Sequence, residues 1–593
     1  MAIENLITDH LDLWTAAVRP KSGAGRGASS KLELTGIKKL RELILGLAVR
    51  GKLVPQDPSD EPASVLLERI AVEKARLVKE GKIKKPKALP EIGEEEKPFE
   101  LPAGWEFTRV GSIINRISNG FSGVQNKEGN GFPLTRIESI SESVINMGRV
   151  GYSPSIPHDK LNYYRLNQGD ILLSHINSDL HVGKTAIFHG NHELYHGVNL
   201  LLIRTSCLVS YDYIDLVFNQ LRLSGYFLSV AQHAIGQSSI NQSIVQSVLI
   251  PLPPLDEQHR IVAKVKELMA LCDQLEQQSE AQLAAHQMLV ETLLATLTDS
   301  ADADELAQNW ARLSTHFDTL FTTESSIDAL KQTILQLAVM GKLVPQDPSD
   351  EPVSALLGRI AAEKARLVEE KKIKKEKPLP AISEDEKPFE LPQGWDWVKL
   401  DYIAKNEKNA LKAGPFGSAL KKDMYVASGY KIYGQEQVIS GDEDLGDYFI
   451  DEEKYLSLES CKVQAGDILV SLVGTIGKVL ILSDNAVRGI INPRLVKVSL
   501  FSDIDRKYIS VVLGSQLVQD ELYRKSHGST MNVLNLGLLR ELVFPLPPVK
   551  EQSKIVNKVE GLLAVCDQLK VRLQTSQQTQ LALAESLVEG ALA

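Results

Sequence analysis

The string GKLVPQDPSDEP occurs twice without change, at 51–62 and at 341–352, and this repetition constrains the fold more than any other feature of the chain. EKARLV at 73–78 returns at 363–368 and EKPFELP at 96–102 returns at 386–392, all at an offset of 290 residues. Further on, PLPP at 251–254 matches 545–548 and CDQL at 272–275 matches 566–569, now at an offset of 294. Solenoid repeats run to about 20–50 residues, so a period this long means two copies of a whole domain set. Between the matched blocks, 105–250 and 395–544 diverge almost completely. Only a few anchors survive: GDIL at 169–172 and 466–469, Gly-Lys at 183–184 and 477–478, and Asn241 answering Asn535, each ten residues before its PLPP. Closely copied frames holding unlike inserts are suited to presenting two different surfaces in one fixed geometry.

Within one copy, Leu40, Leu43, Ile44, Leu47 and Ala48 fall at helical spacing and predict a helix over 37–50, stopped by Gly51. A second helix is expected over 62–80, capped by Ser64 or an upstream acidic residue, followed by a Lys/Pro/Glu-rich linker at 81–98. Runs such as GDILLS, TAIF and LLIRT read as strands, while 211–231 reads as helix. Residues 255–297 and 549–592 keep apolar side chains near a three-four spacing and predict long helices of about 60 Å each, longer than one DNA turn of roughly 34 Å. The expected class is α+β (mixed α/β), with two pseudo-symmetric α/β modules separated by long helices packed as an antiparallel coiled coil. The expected boundaries are an N-terminal helix and Gly/Ser tether at 1–34, a helical repeat at 35–103, a first module at 104–254 and a long helix at 255–298. A connecting helix at 299–326 then leads to the second repeat at 327–393, the second module at 394–548 and the second long helix at 549–593.

At 593 residues, with 43% hydrophobic and 24% charged side chains, the chain exceeds one core and predicts several folded units. No apolar run reaches the roughly 20 residues that a bilayer crossing needs, and the N-terminus has no leader pattern, so a cytoplasmic location is expected. The four cysteines are widely separated and lack a CxxC; Cys272 and Cys566 lie on apolar helical stripes and read as packed thiols. The net charge of -10 argues at first against nucleic acid. Location matters more than the sum: 103–250 carries ten basic and ten acidic residues and 393–544 eighteen and twenty, so most of the acidic excess lies outside the modules and any DNA surface must be a local patch.

Catalytic signatures are incomplete or missing. SDLHVGKT at 178–185 ends like a phosphate-binding loop but has Ser178 where the first glycine is required, and GTIGK at 474–478 lacks the following Ser or Thr. Both Gly-Lys pairs read instead as turns between strands. The histidines of the first module, His175, His181, His189, His192 and His196, have no counterparts in the second and complete no familiar zinc set, so surface or base-contacting roles are expected. Lys405, Lys408, Lys412, Lys421, Lys422 and Lys431 surround GPFGSALKK at 414–422, which reads as a phosphate-facing loop. RISNGFSGVQNKEGNG at 116–131 supplies amides suited to base edges. The candidate DNA-binding residues are Asn119, Gln125, Asn126, Lys127, Arg136, His175, Lys184 and Asn241 in the first module, and Lys412, Ser418, Lys421, Lys422, Lys478, Arg494 and Asn535 in the second.

PLPPLDEQHRIV at 251–262 and PLPPVKEQSKIV at 545–556 each close a divergent module and open a long helix, and GWEFTRVG at 104–111 and GWDWVKLD at 394–401 open the modules. In this layout the chain resembles the specificity subunits of type I restriction-modification systems. The resemblance implies two target-recognition domains, each reading half of an asymmetric bipartite DNA site. It implies a subunit with no catalysis or bound cofactor of its own. Two modification subunits would methylate adenine with S-adenosylmethionine, and two restriction subunits would use ATP and Mg2+; no membrane is involved. A scaffold that docks two protein partners is the alternative reading of the same repeats, and a nuclease or methyltransferase acting alone would need motifs that the sequence lacks.

Overall fold

The computed structural model describes residues 3–20, 32–126, 129–141, 143–234, 236–301, 303–373, 379–416, 419–473, 475–526 and 534–592. The chain forms two compact units, Met1–Gln282 with Ser576–Ala593, and Leu283–Thr575. Both mix helix and strand, in agreement with the expected α+β class.

In the first unit, α1 (Thr35–Val49) buries Leu40, Leu43, Ile44, Leu47 and Ala48, the stripe read from the sequence. Gly51 ends it with φ +67, and a Cβ there would come within 2.4 Å of the Pro102 ring, so both the turn and the packing require glycine. α2 (Ala63–Lys79) begins after Pro62 and not on a Ser64 cap; proline fits there because the first helical N–H groups have no partner within the helix. The module follows as β1 (Glu106–Arg109), β2 (Ile114–Asn119), β3 (Ile171–Ser174), β4 (Thr185–Ile187), β5 (Leu200–Thr205), α3 (Tyr211–Leu223) and β6 (Leu249–Leu252). The helical reading of 211–231 is broken at Gly225, which adopts φ +79, and a short turn of helix, Tyr226–Ser229, follows. Four strands make an antiparallel sheet in the order β4-β3-β5-β2, while β6 pairs separately with β1. β3 is buried at every position, which explains the apolar run Ile171–Leu173 that opens it. After β6 comes α4 (Leu255–Asp299), whose first part buries Ile261, Val265, Leu268 and Cys272.

The second unit repeats this plan with α5 (Glu324–Val339), α6 (Val353–Glu369), β7 (Asp396–Lys399), β8 (Leu411–Ala413), β9 (Ile468–Ser471), β10 (Val479–Ile481), β11 (Leu495–Val498), α7 (Arg506–Gly514), β12 (Val543–Leu546) and α8 (Val549–Leu592). Its sheet order, β8-β11-β9-β10, is that of the first unit strand for strand, and β7 pairs with β12 as β1 does with β6. The modules differ in what surrounds the sheet. The second adds a four-stranded sheet from Tyr430–Tyr433, Phe449–Ile450, Lys462–Val463 and Gly489–Ile491, over its own core around Ile432, Ile450 and Ile490. The first carries instead a hairpin of Phe132–Leu134 with Gly151–Ser153 and three short strands at 176–177, 232–234 and 237–239.

One hydrogen-bond network, present in both copies, ties frame to module. Trp105 Nε1 donates to Glu257 Oε2 at 2.9 Å and Gln56 Nε2 to Oε1 at 3.2 Å; Trp395 and Gln346 do the same to Glu551 at 3.0 and 3.3 Å. Gln258 donates to Pro253 O at 2.9 Å and accepts from Ser210 N–H at 3.0 Å, as Gln552 does with Pro547 and Asp505 at 3.0 and 2.8 Å. Tyr213 and Tyr508 hydroxyls donate to the carbonyls of Pro251 and Pro545 at 3.0 and 2.9 Å. The linker is pinned as well: Arg109 donates to Pro90 O at 2.9 Å and pairs with Glu96, and Lys399 donates to Pro380 O at 2.8 Å. Burial pushes the carboxyls of Glu257 and Glu551 above their ordinary range, and the donated N–H groups hold them partly back. Each carboxylate accepts with both oxygens, which an amide cannot do. Glu257→Gln and Glu551→Gln should therefore each cost about 1–3 kcal/mol, seen as loss of hydrogen-exchange protection in the unit that holds the substitution and not in the other.

Candidate nucleic-acid interface

The antiparallel register of the first sheet places Asn119 opposite Leu201, Ser174 opposite Leu200 and Thr185 opposite Leu173. Asn119, and the residues just beyond the other two pairs, His175 and Lys184, thus lie at one end of the sheet. Asn241 joins them, because Ile240 N–H donates to His175 O at 2.8 Å and Gln242 Nε2 donates to Asn119 Oδ1 at 3.1 Å. The loop after β2 leaves from the same end. Gly120 packs so tightly on the Gly197 carbonyl that a Cβ would sit 1.9 Å from its oxygen, so this exit admits no side chain. Beyond it, Asn126 exchanges backbone hydrogen bonds with Tyr152 at 2.7 and 2.9 Å, Gln125 lies against Gly151, and Arg136 pairs with Glu138 at 3.2 Å.

The second sheet gathers its residues at the matching end. Gly414 N–H donates to Leu495 O at 3.0 Å, Leu472 N–H to Arg494 O at 2.8 Å and Ser471 N–H to Lys478 O at 2.9 Å. Gly414–Phe416, Lys478 and Arg494 are brought together here, and Leu534 N–H, bonded to Leu472 O at 2.8 Å, brings Asn535 beside them. Lys478 and Arg494 are exposed, and Arg494 donates to Gln435 Oε1 at a long 3.5 Å. Both Gly-Lys pairs sit in the turn between β3 and β4 or between β9 and β10, with Gly183 and Gly477 in the left-handed region, as read from the sequence.

Other candidate residues lie elsewhere or serve the fold. Asn241 and Asn535 both cap helices, their Oδ1 atoms accepting from Ile244 and Leu538 N–H at 2.9 Å, which accounts for their being matched in the two copies. Lys421 and Lys422 are exposed on a short turn between the Gly414 loop and the added sheet. Lys412 faces a cleft with Lys405 and Lys408, which lie at the opposite end of the sheet. Lys431 is buried, 4% exposed, with its ammonium 5.7 Å from the Tyr433 ring centre, so it does not belong to a phosphate-facing loop. Lys127 and Ser418 lie outside the described residues.

The histidines divide in two. His181, His189 and His192 are exposed, but His175 and His196 are buried, contrary to the expected surface placement. Burial lowers their pKa values to about 4 and about 3, so both are neutral imidazoles at neutral pH, and His196 Nε2 bonds to Leu200 O at 3.0 Å. Sequence reading also missed the exposed apolar tips. Val124, Leu180 and Phe416, 80–82% exposed, are among the most exposed large apolar side chains in the described residues, and all three ride on loops that leave these sheet ends. Their only signal was an apolar residue isolated among Gly, Ser, Asn and Asp.

Comparison with known proteins decides the family. A family model described as the type I restriction modification DNA specificity domain matches residues 102–285 and again 394–576. The chain belongs to this family of type I specificity subunits. It is 43% identical to the type I restriction enzyme EcoAI specificity subunit and 44% to the EcoEI specificity subunit, both of Escherichia coli, over the full length of each chain. A 183-residue stretch, 30% of this chain and 43% of its relative, is 40% identical to a protein named the putative MjaX specificity subunit of Methanocaldococcus jannaschii. Among solved structures, the HsdS subunit from Thermoanaerobacter tengcongensis aligns over 84% of this chain and 98% of its own, at 16% identity and a TM-score of 0.36. The family disfavours the scaffold reading.

Both buried histidines lie in the first module; the strand register puts Leu472 at the place of His175 in the second, and counting four residues back from the matched Leu200 and Leu495 puts Ile491 at that of His196. A histidine whose folded pKa is lowered adds stability above its unfolded pKa of about 6.5 and loses it as pH falls. Asp215 opposes this, since burial raises its pKa to about 6 and its contribution is lost as pH rises through that value. Hydrogen exchange should show the first unit losing protection between pH 7 and pH 5 faster than the second. Asp215→Asn should steepen that loss and stabilise the unit at pH 8 by on the order of 2–3 kcal/mol.

Proposed function

We propose that the two matched sheet ends each read one half of an asymmetric bipartite DNA sequence, and that the chain thereby directs partner subunits to that sequence. The observation that carries this is topological: one four-stranded sheet, in the same strand order, ends in two unlike sets of loops. A symmetric homodimer presents the same surface twice and reads a palindrome, whereas two diverged copies on one chain can read unlike half-sites. In the first module amides predominate at the sheet end, with Asn119, Gln125, Asn126 and Gln242, suited to adenine edges; in the second, Arg494 and Lys478 suit guanine or phosphate. Val124, Leu180 and Phe416 are placed to meet thymine methyls or to wedge a base step.

In this reading α4 and α8 set the distance between the half-sites. Each helix begins in one unit and ends in the other: Val290, Leu294 and Leu297 enter the second unit's core, and Leu592 packs on Gly46 in the first. A one-base change in the spacer would turn one half-site by about 34° relative to the other, taking about 10.5 base pairs per turn. The chemistry belongs to the partners: two modification subunits that methylate adenine with S-adenosylmethionine, and two restriction subunits that use ATP and Mg2+, in the cytoplasm.

Replacing 105–250 with the module of another specificity subunit should change one half of the methylated sequence and leave the other half intact, read by mapping methylated adenines in cells. A change in both halves, or in neither, would contradict the two-reader arrangement. Arg494→Ala should weaken binding by about 1–3 kcal/mol and relax one base position of the half-site read by the second module.

A further inference from the structure

The second unit has a basic cleft at the end of the sheet opposite the proposed reading loops. It has a volume of about 570 Å3 and is lined by Lys364, Lys371, Lys405, Lys408, Lys412 and Arg540, against the acidic Asp401 and Glu407. Lys405 pairs with Glu407 at 2.9 Å and Arg540 with Asp401 at 3.6 Å, and Lys372, which also reaches the wall, pairs with Glu370 at 2.8 Å. Three of the cations stand where the first copy is neutral: Lys371 for Gly81, Lys405 for Asn115 and Arg540 for Gln246. Lys364 has a basic counterpart, but Lys74 is buried there, donating to Gly111 O at 2.8 Å and Ser112 O at 3.1 Å.

The backbone is built differently where the cleft forms. In the first sheet, Asn115 and Arg116 stand opposite Arg204 as a small bulge. In the second, Ala404 pairs with Leu500 and Leu411 with Val498, so 405–410 is extruded opposite Ser499 alone. Ser499 holds both feet of this loop: its carbonyl accepts from Lys405 N–H at 2.9 Å and its N–H donates to Ala410 O at 2.8 Å. Asn406 Nδ2 ties the loop to the carbonyl of Ile360 on α6 at 3.2 Å. Two residues on the cleft wall, Lys371 and Asn409, adopt φ +56 and +66, and they are two of only four non-glycine residues with positive φ among the described residues. The strained position of Lys371 is occupied in the first copy by Gly81, at φ +67, where a Cβ would meet nothing within 4 Å. The lysine therefore brings a charge to a turn that needs no side chain.

We propose that this cleft binds phosphate oxyanions, as a second anion site of the chain, separate from the base-reading loops. The lining cations outnumber the two lining carboxylates, which leaves the cleft positive in a chain whose net charge is -10, and bulges with strained backbone are found next to sites of function. The phosphate can come from the backbone of a duplex or from a free polyphosphate, and the test separates these sources. The variant Lys371→Gly/Lys405→Asn/Lys408→Ser restores first-copy residues at two positions and neutralises an exposed loop lysine; relief at Lys371 should keep its thermal midpoint at or above that of the parent chain. The full-length parent and variant are titrated with a short duplex lacking the target sequence over a salt series, and by calorimetry with inorganic triphosphate. For a backbone site, the slope of log affinity against log salt falls by about 2–3, close to 0.9 for each cation lost, and triphosphate heat falls with it. Loss of triphosphate binding with an unchanged duplex slope keeps the phosphate site and assigns it to free polyphosphate. If neither measurement moves in a folded variant, the proposal is wrong. The methylated sequence should be the same for parent and variant; a changed sequence would place these lysines among the base readers and overturn a separate phosphate site.

Discussion

Everything in each unit hangs on a carboxylate and an amide placed side by side at the start of a long helix. Glu257 with Gln258, and Glu551 with Gln552, are buried, and between them they hold the module's opening tryptophan, the glutamine of the PQDP turn, the carbonyls of the PLPP strand and the N-terminal approach to α3 or α7. A buried carboxylate is costly unless it is hydrogen-bonded, and here its partners come from two stretches of chain, while the glutamine beside it binds two more. The network therefore forms only when frame helix, turn, strand pair and long helix are all in place. It transmits the direction of the long helix to the module, because β6 and β12 run without a break into the prolines and then into α4 and α8.

That arrangement explains how the modules could diverge so far without losing the sheet. The strand pair β1–β6, or β7–β12, closes the base of the module, and in the second unit one face of the four-stranded sheet, with Ile468, Val470, Val496 and Val498, shares the core of that strand pair and the frame helices, while the other face, with Leu469, Leu480 and Leu495, packs with the added sheet. A buried aspartate at its entrance, Asp170 or Asp467, accepts from the backbone N–H of Asn167 or Gln464 at 2.7 and 2.8 Å and fixes the turn of GDIL. Its second partner differs, being Arg204 in one module and Ser499 in the other, so even this shared anchor tolerates change one bond away. With base and turn fixed, the loops at the far end are free to vary in length and chemistry. The added sheet in the second module and the hairpin in the first are different solutions to covering one scaffold.

The repeats, the long helices, the first frame helix and the class were legible because they rest on periodicity and identity, which sequence records directly. Cys272 and Cys566 were legible for the same reason: they lie on an apolar stripe, and burial raises both thiols, Cys272 to about 11. The interface was legible only in part. Asn119, Lys184, Lys478 and Arg494 reach their sheet ends through strand register, which sequence spacing does not encode. Lys431 and His175 show the limit: both are polar residues in a loop-like stretch, and both are buried once the strands around them pair. The lysine cluster at 405–431 was read as a single patch, yet the fold divides it, with Lys405, Lys408 and Lys412 along one cleft, Lys421 and Lys422 on a turn before the added sheet and Lys431 buried within that sheet.

The same division bears on how a chain with an acidic total can hold DNA. Phosphate binding needs local positive potential and not a positive sum, and the Debye length at physiological salt, about 8 Å, is shorter than the distance between patches on a unit of this size. Acidic residues on the frame helices are therefore largely screened from the sheet ends, and they remain available for ion pairs that stiffen the frame, such as Arg41 with Asp273 at 2.8 Å and, at the matching place, Lys331 with Asp567. Charge is sorted locally and not by module: carboxylates and cations pair within the copied helices, and within modules of near-neutral sum Lys478 and Arg494 stand exposed together at one sheet end. Selection on the reading surface can then change its charge and shape without disturbing the network that aims it.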